Sequence, residues 1–115
     1  MLSILCLLMS FISLLPAQER DTIAQQEIDQ FVWKPFIDAY NKLDAEAFNE
    51  VHTADVLRAG DWAIWQGEEY KERNRKNFAR MKEKKTKLRI EIRFDFRKTT
   101  ETVSYETGFY FTIAQ

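Results

Sequence analysis

The sequence predicts an α+β domain in which helices and antiparallel strands occupy separate stretches of the chain. Three observations predict it. Leu88–Phe96 alternates apolar and polar side chains at every step, apolar residues from Ile28 to Leu43 recur at three- and four-residue spacing, and a second alternating run from Val103 to Ile113 follows the first after a short polar connection. Alternation over nine residues is what a half-buried strand segregates and a helix cannot, whereas the wider spacing makes one helical stripe.

A chain of 115 residues is economical as one domain, and its 14% aromatic content supplies the large buried areas that a small core needs. The net charge of -1 conceals an asymmetry: Gln18–Glu69 holds twelve acids against four bases, and Lys71–Arg89 ten bases against two acids. No repeats, low-complexity tracts or interdomain linkers interrupt it.

Residues 1–17 carry no charge and are mostly Leu, Ile, Phe and Met. The run is shorter than the roughly twenty apolar residues of a spanning helix and ends at Pro16. It reads as a secretory signal peptide cleaved near Ala17, lacking the usual Lys or Arg before the apolar run; a retained anchor or a misassigned start are the alternatives. The mature domain is then 18–115, secreted or periplasmic, with no membrane contact after cleavage. Cys6, the only cysteine, lies in the leader, which leaves the mature domain without disulfide or thiol chemistry.

In chain order, Asp21 is placed to cap a helix whose stripe is Ile28, Phe31, Val32, Phe36, Ala39, Tyr40 and Leu43. Pro35 falls inside it, so the spacing predicts one long helix kinked there, or two abutting helices. Asp44 then caps a short helix, Ala45–Val51, with Phe48 and Val51 inward. Short extended pieces follow at 55–59 and 62–65 around a Gly60-Asp61 turn. Gly67 opens a third helix, Glu68 to Lys84, acidic in its first turn and basic in its last as the helix dipole favours. Its few apolar residues, Tyr70, Phe78, Ala79 and Met81, predict a surface helix with one thin inward stripe. The last element is a hairpin from Lys87 to Ala114 with its connection at Arg97–Glu101. Each strand owns an apolar face, and the layer is expected to clasp the Phe31–Tyr40 rod. Strands this long span roughly 30 to 40 Å and must twist; Gly108 marks a bulge, a bend or a close backbone approach.

The stretch FIDAYNKLDAEAFNEVHTADVLRA, followed by WQGEEY, resembles the nuclear transport factor 2-like superfamily, in particular its SnoaL-like branch. The shared features are an aromatic-rich first helix ending in Ala39-Tyr40, an Asp starting the second helix, an H-x-x-D segment at His52–Asp55, and a Gly opening the third helix; they cover nearly all of Gln25–Ala114. The resemblance implies a cone-like curved antiparallel sheet packed on a long N-terminal helix plus two further helices, with an apolar pocket at the open end. It also implies that the last one or two strands are lacking, which suggests a fragment or a domain completed by dimerisation. Relatives include ketosteroid isomerase, polyketide cyclases, dehydratases and non-enzymatic binding or dimerisation modules.

Carried over from the isomerases, Tyr40 matches an oxyanion-donating tyrosine and Asp55 or Asp61 an aspartate base; an apolar pocket suits both roles. The plainer account makes Tyr40 a core aromatic and Asp55 a turn residue. His52 and Asp55, three apart, form a base pair only if a helical turn carries both. A lone histidine builds no zinc site without acidic partners, and neither a metal nor a cofactor is expected. Trp62 and Trp65 are hard to hide together in a small core, so a pocket mouth or an association surface is one account of them; core packing, the common fate of tryptophan, is the other. Arg93, on the polar side of its strand, makes a polar pocket floor if that side lines the cone, and Glu106 is its cross-strand counter-charge. With Trp62, Trp65 and Arg93, Tyr105 completes the residues assigned to ligand binding. The basic third helix lacks interleaved stacking aromatics, so nucleic acid is not an expected partner. The function expected is binding of a small apolar or amphipathic ligand, non-enzymatic, with a homodimer through the sheet; a Tyr/Asp isomerase or cyclase and a purely structural dimerisation module are the rivals.

Overall fold

The computed structural model describes residues 17–115, with side chains from Asp21 onward. The expected signal segment lies outside the described residues, apart from Ala17 at its end. The fold is α+β: helices α1 (Ala17–Ile28), α2 (Lys34–Lys42), α3 (Ala45–Glu50) and α4 (Gly67–Glu83), with one two-stranded antiparallel sheet of β1 (Leu57–Ala59) and β2 (Ile64–Gln66) and another of β3 (Leu88–Thr99) and β4 (Ser104–Ala114).

Just ahead of Pro35, where a kink is expected, a five-residue π-helical stretch, Asp29–Trp33, joins α1 to α2 without leaving helical backbone. Lys34 donates its N–H to the Asp29 carbonyl, five residues back. Pro35 has no N–H to give and crowds the preceding turn, and widening that turn by one residue relieves both problems. The side-chain stripe changes with it. From Ile28 the inward face steps five residues to Trp33, then to Phe36, Tyr40 and Leu43, while Phe31 is 68% exposed and Val32 is also turned out. The predicted stripe is therefore corrected at Phe31 and Val32, which Trp33 replaces. Asp21 is likewise not a cap: α1 begins at Ala17, and the Asp21 carboxylate pairs with Lys98 Nζ at 2.9 Å.

The α2–α3 junction forms as its sequence requires. Leu43 takes a left-handed conformation (φ 54°), a strain of about 1 kcal/mol for a non-glycine residue, offset by burial of its side chain. Asp44 Oδ1 accepts from the Ala47 N–H at 3.0 Å and caps α3. Phe48 is buried, stacked between Phe36 (centroids 4.6 Å apart) and Phe78 (5.2 Å). Ala39, Leu43, Phe48 and Phe78 form the core, with Phe36, Tyr40 and Met81 around them. Beneath α4 the stripe is mixed: buried Asn74 donates to Asn49 Oδ1 (2.9 Å), and Asn49 donates to the Lys71 carbonyl (3.1 Å), so this polar pair is satisfied internally. Ala79, assigned to that stripe, is exposed. Gly67 sits at φ +55° with its N–H on the Val56 carbonyl, a left-handed start to α4 that favours glycine.

The long hairpin differs from expectation in three ways. Its first strand runs further, to Thr99, and its second starts later, at Ser104, so the connection is Thr100–Val103 rather than Arg97–Glu101; the Thr100 hydroxyl accepts from the Val103 N–H at 3.1 Å and closes the turn. Arg97, Lys98 and Thr99 remain strand because each has a ladder partner, Glu106, Tyr105 and Ser104. Second, the register passes from Phe94↔Gly108 to Phe96↔Thr107, leaving Asp95 as a bulge. Beyond it the alternation inverts, so Phe96 turns to solvent while Arg97 and Thr99 turn toward the helices. Gly108 faces the bulge and marks a close approach: a Cβ there would lie 2.1 Å from the Arg93 carbonyl oxygen.

Third, the apolar faces of the two strands point to opposite sides. Direct partners in an antiparallel ladder share a face, and here Ile90 meets Thr112, Ile92 meets Tyr110, and Arg93 meets Phe109. The inner face, toward the helices, is Leu88, Ile90, Ile92 and Phe94 with Gly108, Tyr110 and Thr112. Phe109, Phe111 and Ile113 share the outer face with Arg89, Glu91 and Arg93. Only one apolar side clasps the helix, through Trp33 against Phe94 (5.2 Å) and the Ile90 N–H donating to Asn41 Oδ1 (2.9 Å).

Candidate functional site

Because β4 contributes mostly small or polar groups to the inner face, the space between it and the helices is incompletely filled. The result is a cleft of about 840 Å³, within the range of small-molecule sites. Trp33, Phe36, Tyr40 and Phe48 from the helices form one wall; Ile90, Ile92 and Phe94 form the floor. The mouth is built by β1, β2 and α4, which contribute Arg58, Trp65, Tyr70 and Arg73.

Tyr40, His52 and Glu106 are polar groups within this aromatic lining. The Tyr40 hydroxyl has no protein partner among the described residues, and burial, with Tyr110 nearby, pushes its pKa up, so the phenol stays protonated and able to donate at neutral pH. His52 lies edge-on to Tyr70 (5.4 Å) and close to Phe48 (5.0 Å), and its Nδ1 is 2.8 Å from the Phe48 carbonyl oxygen. A carbonyl only accepts, so Nδ1 carries the hydrogen and Nε2 is left as an acceptor. Burial lowers the His52 pKa against the pull of the Phe48 carbonyl, and the charges of Lys71 and Arg58 lower it further. Glu106 is the third, its side chain 9% exposed; it accepts from Trp33 Nε1 (2.6 Å) and from Arg97 Nε (2.8 Å), so it is committed to structure.

The residues singled out from sequence are divided. Tyr40 and Trp65 line the cleft. Asp55 is exposed in the turn after α3, Asp61 is exposed in the β1–β2 turn, and Trp62 is 96% exposed; none of the three borders the cleft. Helix α3 stops at Glu50, so no helical turn aligns His52 with Asp55. Arg93 lies on the outer sheet face with its guanidinium 5.5 Å from the Phe111 ring, and Tyr105 lies on that face against Phe96. The counter-charge expected from Glu106 goes to Arg97, and Arg89 pairs with Glu91 on its own strand.

Sequence reasoning missed two groupings. Trp33 was absent from the predicted stripe because a period of 3.6 does not see a π-helical step. Arg58 and Arg73 were assigned no role, since only the Arg58↔Trp65 register of β1 and β2 and the stacking of Arg73 over the Trp65 ring (4.0 Å) bring them together. Among the described residues no group of three or more His, Cys, Asp or Glu is placed to hold a metal ion, and no helix is long and apolar enough to cross a membrane. No family model, no curated protein and no solved structure matches the chain.

Proposed function

We propose that this domain binds a small, largely apolar ligand in the cleft between its helices and the inner face of the β3–β4 hairpin, as an exported module of the nuclear transport factor 2-like kind. The observation that carries this reading is the aromatic lining around unengaged polar groups: the Tyr40 hydroxyl and His52 Nε2 border a space walled by Trp33, Phe36 and Phe48. An apolar body excludes water there, and two fixed polar atoms orient it. The proton-transfer alternative has Tyr40 in the cleft, while Asp55 and Asp61 are exposed outside it.

Trp33 and Trp65 both line the cleft, so intrinsic fluorescence reports occupancy directly. Titration with the uncharged fluorophore N-phenyl-1-naphthylamine should show saturable binding that Ile92→Arg, which places a charge on the cleft floor, abolishes. Binding that is undetectable, or equal in the Ile92→Arg protein with its fold retained by circular dichroism, refutes the reading.

A second reading, association of two copies through the sheet, is favoured by the outer face of the hairpin. There Phe96, Tyr105, Phe109, Phe111 and Ile113 all stay exposed, Phe109 at 62%. Phe109, Phe111 and Ile113 make an apolar strip along β4, edged by Arg93, Glu91 and Arg89 on β3, and exposed apolar strips of this kind mark association surfaces. Sizing residues 18–115 tests it: a dimer that Phe109→Asp converts to monomer supports the reading, and a monomer before mutation removes it.

A further inference from the structure

From the mouth of the cleft we infer the ligand's chemical class: an amphipathic organic acid, with its anionic head held by Arg58 and Arg73 and its apolar body lying on the inner aromatic wall. The inference rests on the ligand-binding reading above and adds the charge of what is bound. Arg58 and Trp65 are direct partners across the β1–β2 ladder, so their side chains share a face. From α4, Arg73 lays its guanidinium over the same indole at 4.0 Å, which fixes the plane of its donor fork. All three border the cleft.

Neither arginine has a carboxylate partner among the described residues, in contrast to Arg75 and Arg97. Arg75 is held by Glu46, Glu68 and Glu72, and Arg97 by Asp29 and Glu106. Among the described residues the one carboxylate bordering the cleft, Glu106, is already engaged by Arg97 and Trp33. Lys71, which does not itself line the cleft, adds positive charge close by, its Nζ on the carbonyl of the lining residue His52 at 3.1 Å. Cations gathered at the opening of an apolar cleft focus a positive potential on it. A guanidinium presents paired N–H donors that match a carboxylate or sulfonate. An uncharged ligand would leave both forks to water, and a cationic one would be repelled.

The test compares two probes of similar size on the same protein: anionic 8-anilinonaphthalene-1-sulfonate and uncharged N-phenyl-1-naphthylamine. The variants are Arg58→Gln, Arg73→Gln and the double substitution. Both arginines are exposed, and the uncharged probe doubles as a check that the cleft is intact. The wild type should bind the anion more tightly, by a margin that shrinks as salt is added. The double variant should lose about tenfold or more in anion affinity, as expected for hydrogen bonds between charged groups, and keep its affinity for the uncharged probe. Arg73→Lys should recover part of the loss. An anion affinity unchanged in the double variant overturns the inference while the cleft reading stands. Equal loss for both probes assigns the arginines to packing and also overturns it. Failure of the wild type to bind either probe removes the cleft reading itself.

Discussion

Gly108→Ala tests the hairpin register more sharply than any core truncation. The added Cβ would sit 2.1 Å from the Arg93 carbonyl oxygen and 2.8 Å from the Phe94 Cα, both backbone atoms of the facing strand that cannot swing away as a side chain does. Overpacking in a closed site costs about 1 to 3 kcal/mol, and a clash with backbone belongs at the upper end. Replacing glycine in a strand returns roughly 0.5 to 1 kcal/mol of unfolded-state entropy, so the net loss should be about 2 kcal/mol. For a domain of this size that lowers the melting temperature by about 8 to 16 °C. The natural control is Gly60→Ala, whose Cβ would meet nothing nearer than 3.9 Å and should change stability by less than about 0.5 kcal/mol. Urea denaturation followed by tryptophan fluorescence measures both variants. If Gly108→Ala is as stable as Gly60→Ala, the bulge at Asp95 is misplaced, and with it the inward turn of Arg97 and the exposure of Phe96.

Three further outcomes follow from the packing. Glu106→Gln removes the charge shared by Arg97 and Trp33 Nε1, and a loss of about 1.5 to 3 kcal/mol is expected from charged hydrogen bonds in this part-buried site; chemical denaturation checks it, together with a shift in Trp33 emission. Phe48→Ala should cost about 3 kcal/mol, the low end for a phenylalanine because one side of the ring borders the cleft, again read by denaturation. His52 has its pKa lowered by folding, so the unfolded chain binds the proton more readily. Stability should therefore be full above the ordinary histidine value of 6.5 and fall as pH drops below it toward the folded pKa. Melting temperatures between pH 5 and 8 should show this slope in the wild type and a flatter one in His52→Gln; equal slopes refute the buried neutral histidine.

What the sequence made legible follows from the range over which each signal acts. The Asp44 cap, the short α3 with Phe48 inward, the β1–β2 turn and the glycine opening α4 depend on residues within four positions of one another, and they form as read. Three long-range properties escape such windows. The cross-strand register decides which faces combine, and nothing within Leu88–Phe96 or Val103–Ile113 states that the apolar sides will be opposed. The cleft is a consequence of that opposition, because it places Gly108, Tyr110 and Thr112 where a second row of large aliphatic residues would have filled the space. Arg58 and Arg73 lie fifteen residues apart in the sequence and acquire a common neighbour only through Trp65.

The remaining two departures are related to each other. The π-helical step at Asp29–Trp33 and the bulge at Asp95 each insert one residue into a regular period, and each swaps a side chain expected inside for one expected outside: Trp33 in place of Phe31 and Val32, Arg97 in place of Phe96. The exchanged residues meet. Trp33 packs on Phe94 at 5.2 Å and donates to Glu106; Arg97 lies over the same Phe94 ring at 4.3 Å, binds Glu106, and forks onto Asp29, the first residue of the π stretch, at 2.7 and 3.1 Å. A part-buried guanidinium is tolerable only with carboxylates on it, and an indole N–H facing the interior needs an acceptor. Each insertion is thus braced by side chains that the other one positions. Removing the bulge by deleting Asp95 should therefore withdraw Arg97 from both Asp29 and Glu106 and disturb Trp33 from a distance. A tryptophan emission spectrum unchanged by that deletion, in a protein that still folds, would show that the two irregularities are independent.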